Sequence, residues 1–169
     1  MKLHSVDIRT LSPEILGVFD TQFPLLTAGD RSACNTMTIG WCQMGRLWNT
    51  PVCTVYVRPE RYTYTFMESN DYFTVSVLPE SAREIVMTCG TKSGRDLDKI
   101  RECGLTVAYG AGDAPYFEEA EWVLVCKKMF VQDMNADCVV DGETILPYYG
   151  EKGGWHRAYT GRVVEAYQK

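Results

Sequence analysis

Short runs of β-branched and aromatic residues, divided by turn residues and not by long helical stretches, limit what this chain can fold into. They cover 23–27, 35–41, 52–57, 73–78, 121–134 and 159–167. Residues 35–41 set Thr36, Thr38 and Gly40 against Met37, Ile39 and Trp41, the period of two of a half-buried strand. The run 52–57 reads Val-Cys-Thr-Val-Tyr-Val and 73–78 reads Phe-Thr-Val-Ser-Val-Leu, both of high β-propensity. Gly161 interrupts the last run and predicts a weak point or bulge. Strands in series without alternating helices predict a mainly β chain that closes into an antiparallel barrel, not a doubly wound parallel sheet.

Helices are fewer. One is predicted over 62–70, after Pro59. A second runs over 80–89, after Pro79, with Gly90 as the residue just past its end. A third spans 97–103 and stops at Gly104. The glycine-rich stretches 109–115 and 150–154 read as surface loops. Asp137, Asp141 and Glu143 around Val139-Val140 read as a solvated hairpin. A length of 169 residues suits one domain spanning 1–169.

Charge and cysteines narrow the class. A net charge of −5 with no basic stripe argues against nucleic acid as a partner. No apolar run is long enough to span a membrane, and the first residues show no secretory signal. The seven cysteines include no Cys-x-x-Cys pair and read as reduced, mostly buried thiols of a cytoplasmic protein. Neither His4 nor His156 has cysteines at finger-like spacing, so no metal site is predicted.

Three polar or cationic breaks lie beside apolar strands. Cys89-Gly90-Thr91-Lys92-Ser93-Gly94-Arg95-Asp96 carries two glycines, two hydroxyls and two cations, the groups that surround a phosphate. The helix predicted after it adds its N-terminal dipole. The spacing is not that of a Walker P-loop, and no Gly-x-Gly-x-x-Gly follows a strand. Val55-Tyr56-Val57-Arg58-Pro59-Glu60-Arg61-Tyr62-Thr63 ends a strand in Arg58 and opens a helix, so Arg58 and Thr63 face either an anion or solvent. Asn35-Thr36-Met37-Thr38-Ile39-Gly40-Trp41 is either an ordinary strand or one whose edge meets a flat heteroaromatic ring. Paired carboxylates, a Ser-His-Asp set and a histidine cluster are all missing, which points to chemistry carried by a cofactor.

Taken in order over 35–99, these segments with Gly45, Trp48 and Phe73-Thr74-Val75-Ser76 resemble the flavin reductase-like family of FMN-binding split barrels, which includes flavoredoxin. The resemblance implies a six-stranded Greek-key split β-barrel with a few peripheral helices. It also implies a homodimer that binds FMN near the subunit interface. Asn35, Thr36, Met37 and Thr38 would meet the flavin ring, partly through backbone groups. Val57, Arg58, Tyr62 and Thr63 would line the ribityl and phosphate side. Gly90, Thr91, Lys92, Ser93, Gly94 and Arg95 would hold the phosphate.

The implied activity is reduction of free flavin, ferric chelates or a protein acceptor by NAD(P)H, with the chemistry carried by FMN and no catalytic side chain. The alternatives are a flavoredoxin-like electron carrier with little nicotinamide turnover, and a barrel that only binds a phosphorylated ligand. Trp48 either flanks the flavin or fills the core. Trp155 and His156 either form a lid near the nicotinamide or pack on the barrel. Cys42 either touches the ring or is a buried thiol.

Overall fold

Strands β1 (His4–Ser5), β2 (Leu25–Gly29), β3 (Cys34–Thr38), β4 (Cys42–Leu47), β5 (Thr50–Val57) and β6 (Tyr72–Val77) form the first part of the chain. Helix α1 (Tyr62–Ser69) precedes β6, and α2 (Arg83–Thr91) and α3 (Lys99–Glu102) follow it. Then come β7 (Val107–Tyr109), β8 (Pro115–Phe117), β9 (Trp122–Asp133), α4 (Gly142–Ile145) and β10 (Arg157–Gln168). The structure is a computed structural model and describes residues 2–7, 22–150 and 154–169.

The main antiparallel sheet runs β3-β2-β6-β9-β10-β5-β4, with β1 added along β10. Its two edge strands are successive in sequence: β3 ends at Thr38 and β4 begins at Cys42. That link reaches at most about 14 Å. Laid flat, seven strands at about 4.8 Å spacing would hold their edges about 29 Å apart. The sheet must therefore curl until β3 and β4 come near each other, and the barrel is split at that seam. Leu26, Val55, Val57, Phe73, Val75, Leu124 and Tyr159 fill the main core. A second cluster, with Leu25, Val86, Leu105, Phe117 and Val123, seats α2 and the β7–β8 pair against the barrel.

The barrel has more strands than the six expected. Residues 35–41 are not one strand, because the chain leaves β3 at Thr38 and starts β4 at Cys42. Gly45 and Arg46 hid β4 from a propensity reading. Gly90 does not end a helix: a 3₁₀ turn over Glu80–Ala82 leads into α2, which includes Gly90 and runs to Thr91. A Cβ there would stand 3.2 Å from the Thr38 side chain on β3, so a larger residue would require that side chain to give by a few tenths of an ångström. Gly104, by contrast, takes φ +62 just past α3, as a helix-ending glycine does.

Only four residues of 97–103 form a helix, and Asp98 already caps it by accepting from Arg101 N at 3.1 Å. It therefore adds no dipole to the preceding loop. The 109–115 stretch is packed rather than a free loop. It joins β7 to β8, a Cβ on Gly110 would strike Val125 and Glu165, and Gly112 lies against the Tyr72 ring. Asp141 is the N-cap of α4, accepting from Thr144 N at 3.2 Å, so the expected hairpin is a helix start. Gly161 does mark a bulge, since the β9–β10 register shifts between Thr160 and Gly161. The loop expected over 150–154 falls mainly on residues 151–153, which lie outside the described residues.

Candidate functional site

Two cavities flank the seam, joined by Met37 and Arg61, which line both. The first, about 120 Å³, lies between β3, the start of α1 and the end of α2. Asn35, Tyr62, Thr63, Gly90, Thr91, Lys92, Ser93, Gly94 and Lys99 line it, together with Glu60. The second, about 170 Å³, is bounded by Met37 to Trp41 along the seam, and by Tyr56, Arg58 and His156.

The first cavity suits an anion. No side chain caps the start of α1, where Arg61 is the N-cap, so first-turn N–H groups that lack helical partners border the cavity. Buried Asn35 donates through Nδ2 to Thr63 Oγ1 at 2.7 Å. A hydroxyl that accepts one bond still has its own proton to give. Gly94 brings the loop onto this pair: a Cβ there would lie 2.0 Å from Asn35 Oδ1 and 2.9 Å from the Tyr62 ring. Ser93 folds the loop on itself, its carbonyl accepting from Asp96 N and Leu97 N and its hydroxyl from Arg95 N. Arg61, Lys92 and Lys99 bring positive charge, and Glu60 is the carboxylate that faces them.

The second cavity suits a flat ring. Ile39 N donates back to Pro24 O beside β2, so strand alternation turns the backbone groups of Thr36 and Thr38 toward the unpaired edge of β3. The Trp41 ring lies 4.6 Å from that of His156. His156 Nδ1 is 3.2 Å from Tyr149 Oη, and Tyr149 stacks on Trp155 at 3.9 Å. Burial, then the positive charges of Arg58 and Arg61, lower the His156 pKa to about 4, so its imidazole is neutral at physiological pH.

Most predicted site residues meet here, although several face another way. Thr36 is buried, its hydroxyl donating to Leu26 O and accepting from Thr27, so only its backbone faces the seam. The Thr38 hydroxyl is taken by Val86 O at 2.5 Å. Val57 points into the core and lines neither cavity. Arg58 is drawn toward the second cavity, where its Nη2 donates to Tyr148 O at 2.7 Å. The Thr91 hydroxyl donates to Met87 O. Arg95 lies outside the cavity, donating to Glu60 O at 3.2 Å with its guanidinium over the Tyr62 ring.

Trp48 neither flanks the site nor fills the core: it is 53% exposed at the β4–β5 turn, against Phe130 at 5.7 Å. Cys42 belongs to β4, its thiol 3.4 Å from that of Cys53. Arg61 and Lys99 were missed as site residues, whereas Trp41 belongs to the 35–41 stretch read as packing beside a flat ring. Arg61 was visible as the residue before Tyr62, whereas Lys99 gave no signal, since it read as one charge among the helix residues 97–103. Among the described residues no cluster could hold a metal ion.

A curled sheet split along one seam, with an anion notch and an aromatic slot sharing that seam, defines a split-barrel binding protein. The chain belongs to the flavin reductase-like family: the model for the Flavin reductase like domain matches residues 16–169. No curated protein matches the chain. Among solved structures it is similar to a flavoredoxin from Methanosarcina acetivorans, with TM-score 0.70 and 22% identity over 88% of this chain and 69% of that one. It is also similar to an FMN-binding domain of a flavin reductases-like enzyme from Shewanella baltica, with TM-score 0.69 and 19% identity over 98% and 76%. A third is an NADH:FAD oxidoreductase from Streptomyces globisporus, with TM-score 0.63 and 17% identity over 88% and 75%. At these identities the likeness shows a shared fold.

Proposed function

We propose that this chain is a single-domain FMN-binding oxidoreductase of the flavin reductase type. Its electron donor is NAD(P)H, and its acceptor is free flavin, a ferric chelate or a redox partner protein. It works as a homodimer in the cytoplasm. One observation carries the reading: a cationic notch and an aromatic slot are continuous through Met37 and Arg61. Such a pair fits a molecule with a phosphate at one end and a flat ring at the other. The seven free thiols suit a reducing compartment, and among the described residues no helix is long and apolar enough to cross a membrane.

The residues present fit FMN. A phosphate monoester carries about two negative charges near neutral pH. Arg61, Lys92 and Lys99 offset that charge, and Thr63, Ser93 and the first turn of α1 complete the shell with hydrogen bonds. In the slot, Met37 and Trp41 give apolar contact, and the Thr38 backbone gives polar groups to a ring edge. Arg58 and Arg61 make the slot positive and so favour added negative charge on a planar group within it. When bound, FMN supplies electron uptake from a nicotinamide and delivery to an acceptor. The protein then binds, orients and shields, and neutral His156 serves as a hydrogen-bonding wall.

The second reading is a flavoredoxin-like electron carrier with little NAD(P)H turnover. It is favoured by the stack of Tyr149, Trp155, His156 and Trp41, which crowds the slot a nicotinamide would have to enter. The test is the visible spectrum of the purified protein with an FMN titration, followed by NADH and NADPH oxidation with added flavin and ferric chelate. Flavin binding with turnover supports the reductase. Binding without turnover under any acceptor supports the carrier. A colourless protein that ignores FMN sinks both.

A further inference from the structure

We propose that the outer part of the aromatic slot is a receptor for a small planar aromatic acid, whose carboxylate Arg58 holds beside the flavin. The inference rests on reading notch and slot as an FMN site, and it names the class of molecule that joins the flavin there. Met37 and Arg61 line both cavities, so a ligand anchored in the notch enters the slot past them. Trp41, Tyr56, Arg58 and His156 line the second cavity alone and lie beyond that junction. They are the groups a second molecule meets.

This wall is cationic and aromatic. Two guanidinium groups and three aromatic rings line the second cavity, and no carboxylate does. Arg58 directly follows buried Val57 at the end of β5 and is itself half-buried. Its Nη2 donates to Tyr148 O at 2.7 Å. A guanidinium has five N–H donors in a planar fork, which fits the two oxygens of a carboxylate. Among the described residues no carboxylate forms an ion pair with Arg58. Glu60 comes close, since both side chains approach Gly154, but it lines the notch and not the slot. Arg157, by comparison, is met by Asp133 and Glu68.

The ring contact comes from Trp41. It is 39% exposed, held edge-on to Tyr148 at 5.4 Å and tilted against His156 at 4.6 Å. Two neighbours fix its plane, and the open part of the ring is left for a flat ligand. A neutral aromatic molecule would cover Trp41 and leave the Arg58 charge unmatched. An aliphatic acid would match the charge and leave the ring uncovered. An aromatic acid does both.

The alternative is that Arg58 only ties Tyr148 to the end of β5. Benzoate and benzamide separate the two, because they share a ring and nearly a shape and differ in charge. Acetate has the charge without the ring. Binding to the FMN-loaded protein, at saturating FMN, is read by perturbation of the visible flavin spectrum. Wild type is expected to bind benzoate about 10- to 100-fold more tightly than benzamide, and more tightly than acetate. Arg58→Gln should bring the benzoate-to-benzamide ratio to about one. Arg58→Lys should keep part of the preference, because it supplies charge without the fork.

Equal wild-type affinity for benzoate and benzamide, or for benzoate and acetate, would overturn the inference. So would binding of none of them, an unchanged preference in Arg58→Gln, or a loss shared equally by benzoate and benzamide. ADP bound more tightly than benzoate, and weakened by Arg58→Gln, would assign the guanidinium to a nucleotide and also overturn it. If Arg58→Gln does not fold, Arg58→Lys is read by the same measurements. If wild-type protein binds no FMN, the FMN reading fails by itself. Tryptophan fluorescence of the ligand-free protein then reads the same pair of probes: a benzoate preference lost in Arg58→Gln keeps Arg58 as an acid receptor, and no preference removes it.

Discussion

His156 is held neutral by its surroundings, and this has a consequence for stability. Its ordinary pKa of 6.5 falls to about 4 in the folded protein, through burial and the charges of Arg58 and Arg61. As pH drops below about 6.5, the unfolded chain takes up a proton that the native chain refuses, so stability falls. The loss continues to about pH 4, below which both states are protonated and this contribution levels off. Melting temperature should therefore drop less steeply between pH 6.5 and 4 in His156→Gln than in wild type. Parallel profiles would show that His156 titrates normally. The cations of the loop make a second residue-scale contrast. Lys92 faces the notch, whereas Arg95 is occupied by Glu60 O and the Tyr62 ring. Lys92→Ala should weaken FMN binding by about 1.5–3 kcal/mol. Arg95→Ala should change it by no more than about 0.5 kcal/mol, the usual range for a surface substitution. A titration in which Arg95→Ala is the more damaging of the two would reverse their assignment.

At the scale of elements, the bulge in β10 is the most exposed to test. A Cβ on Gly161 would lie 2.7 Å from the Phe73 ring and 2.9 Å from Cys126 Cβ, both in the closed core. Gly161→Ala should cost about 1–3 kcal/mol in denaturant unfolding, since a packed interior cannot take an added methyl without strain. A stability equal to wild type would mean that β10 slides to make room. Gly161 was readable from sequence because glycine within a run of strand formers is itself a signal. The long strands were readable for the same reason: 52–57, 73–78 and 121–134 are dense in Val, Phe and Trp. Strand β4 was not, because its place depends on pairing with β5 and not on its own propensity. Position 90 misled for a related reason. A helix-ending glycine and a glycine inside a helix that lies close to β3 look alike until Thr38 is found beside it. In the site, residue types announced the loop from Gly90 to Gly94, but which cations turn inward was fixed by tertiary contacts. Arg58 is held by Tyr148 O and Arg95 by Glu60 O, partners 90 and 35 residues distant in sequence.

At the scale of the whole molecule, the described residues leave a surface that a lone chain does not explain. Strand β6 pairs with β9 only from Trp122 to Lys127, whereas β10 follows β9 to Asp133. Among the described residues the outer part of β9 thus has a strand partner on one side only, and it carries exposed Met129, Phe130 and Val131. Trp48, on the β4–β5 turn, packs edge-on against Phe130, and exposed Leu47 adjoins it in sequence. Contiguous exposed apolar side chains beside an open strand edge mark an association surface. If the proposed homodimer forms through this surface, it would bury Trp48 and Phe130, and aromatic anchors of that kind each carry about 2 kcal/mol or more of binding. Trp48→Glu and Phe130→Glu should each raise the dimer dissociation constant at least about 30-fold. Both side chains are half-exposed in the single chain, so the melting temperature of the variants at low protein concentration should change little. Sedimentation equilibrium over a concentration series reads the first effect, and thermal unfolding of the monomer reads the second. Wild-type protein that stays monomeric at high concentration would refute the dimer itself. A dimer untouched by both substitutions would place its interface elsewhere on the barrel, and Trp48 would then be a surface residue of the β4–β5 turn and nothing more.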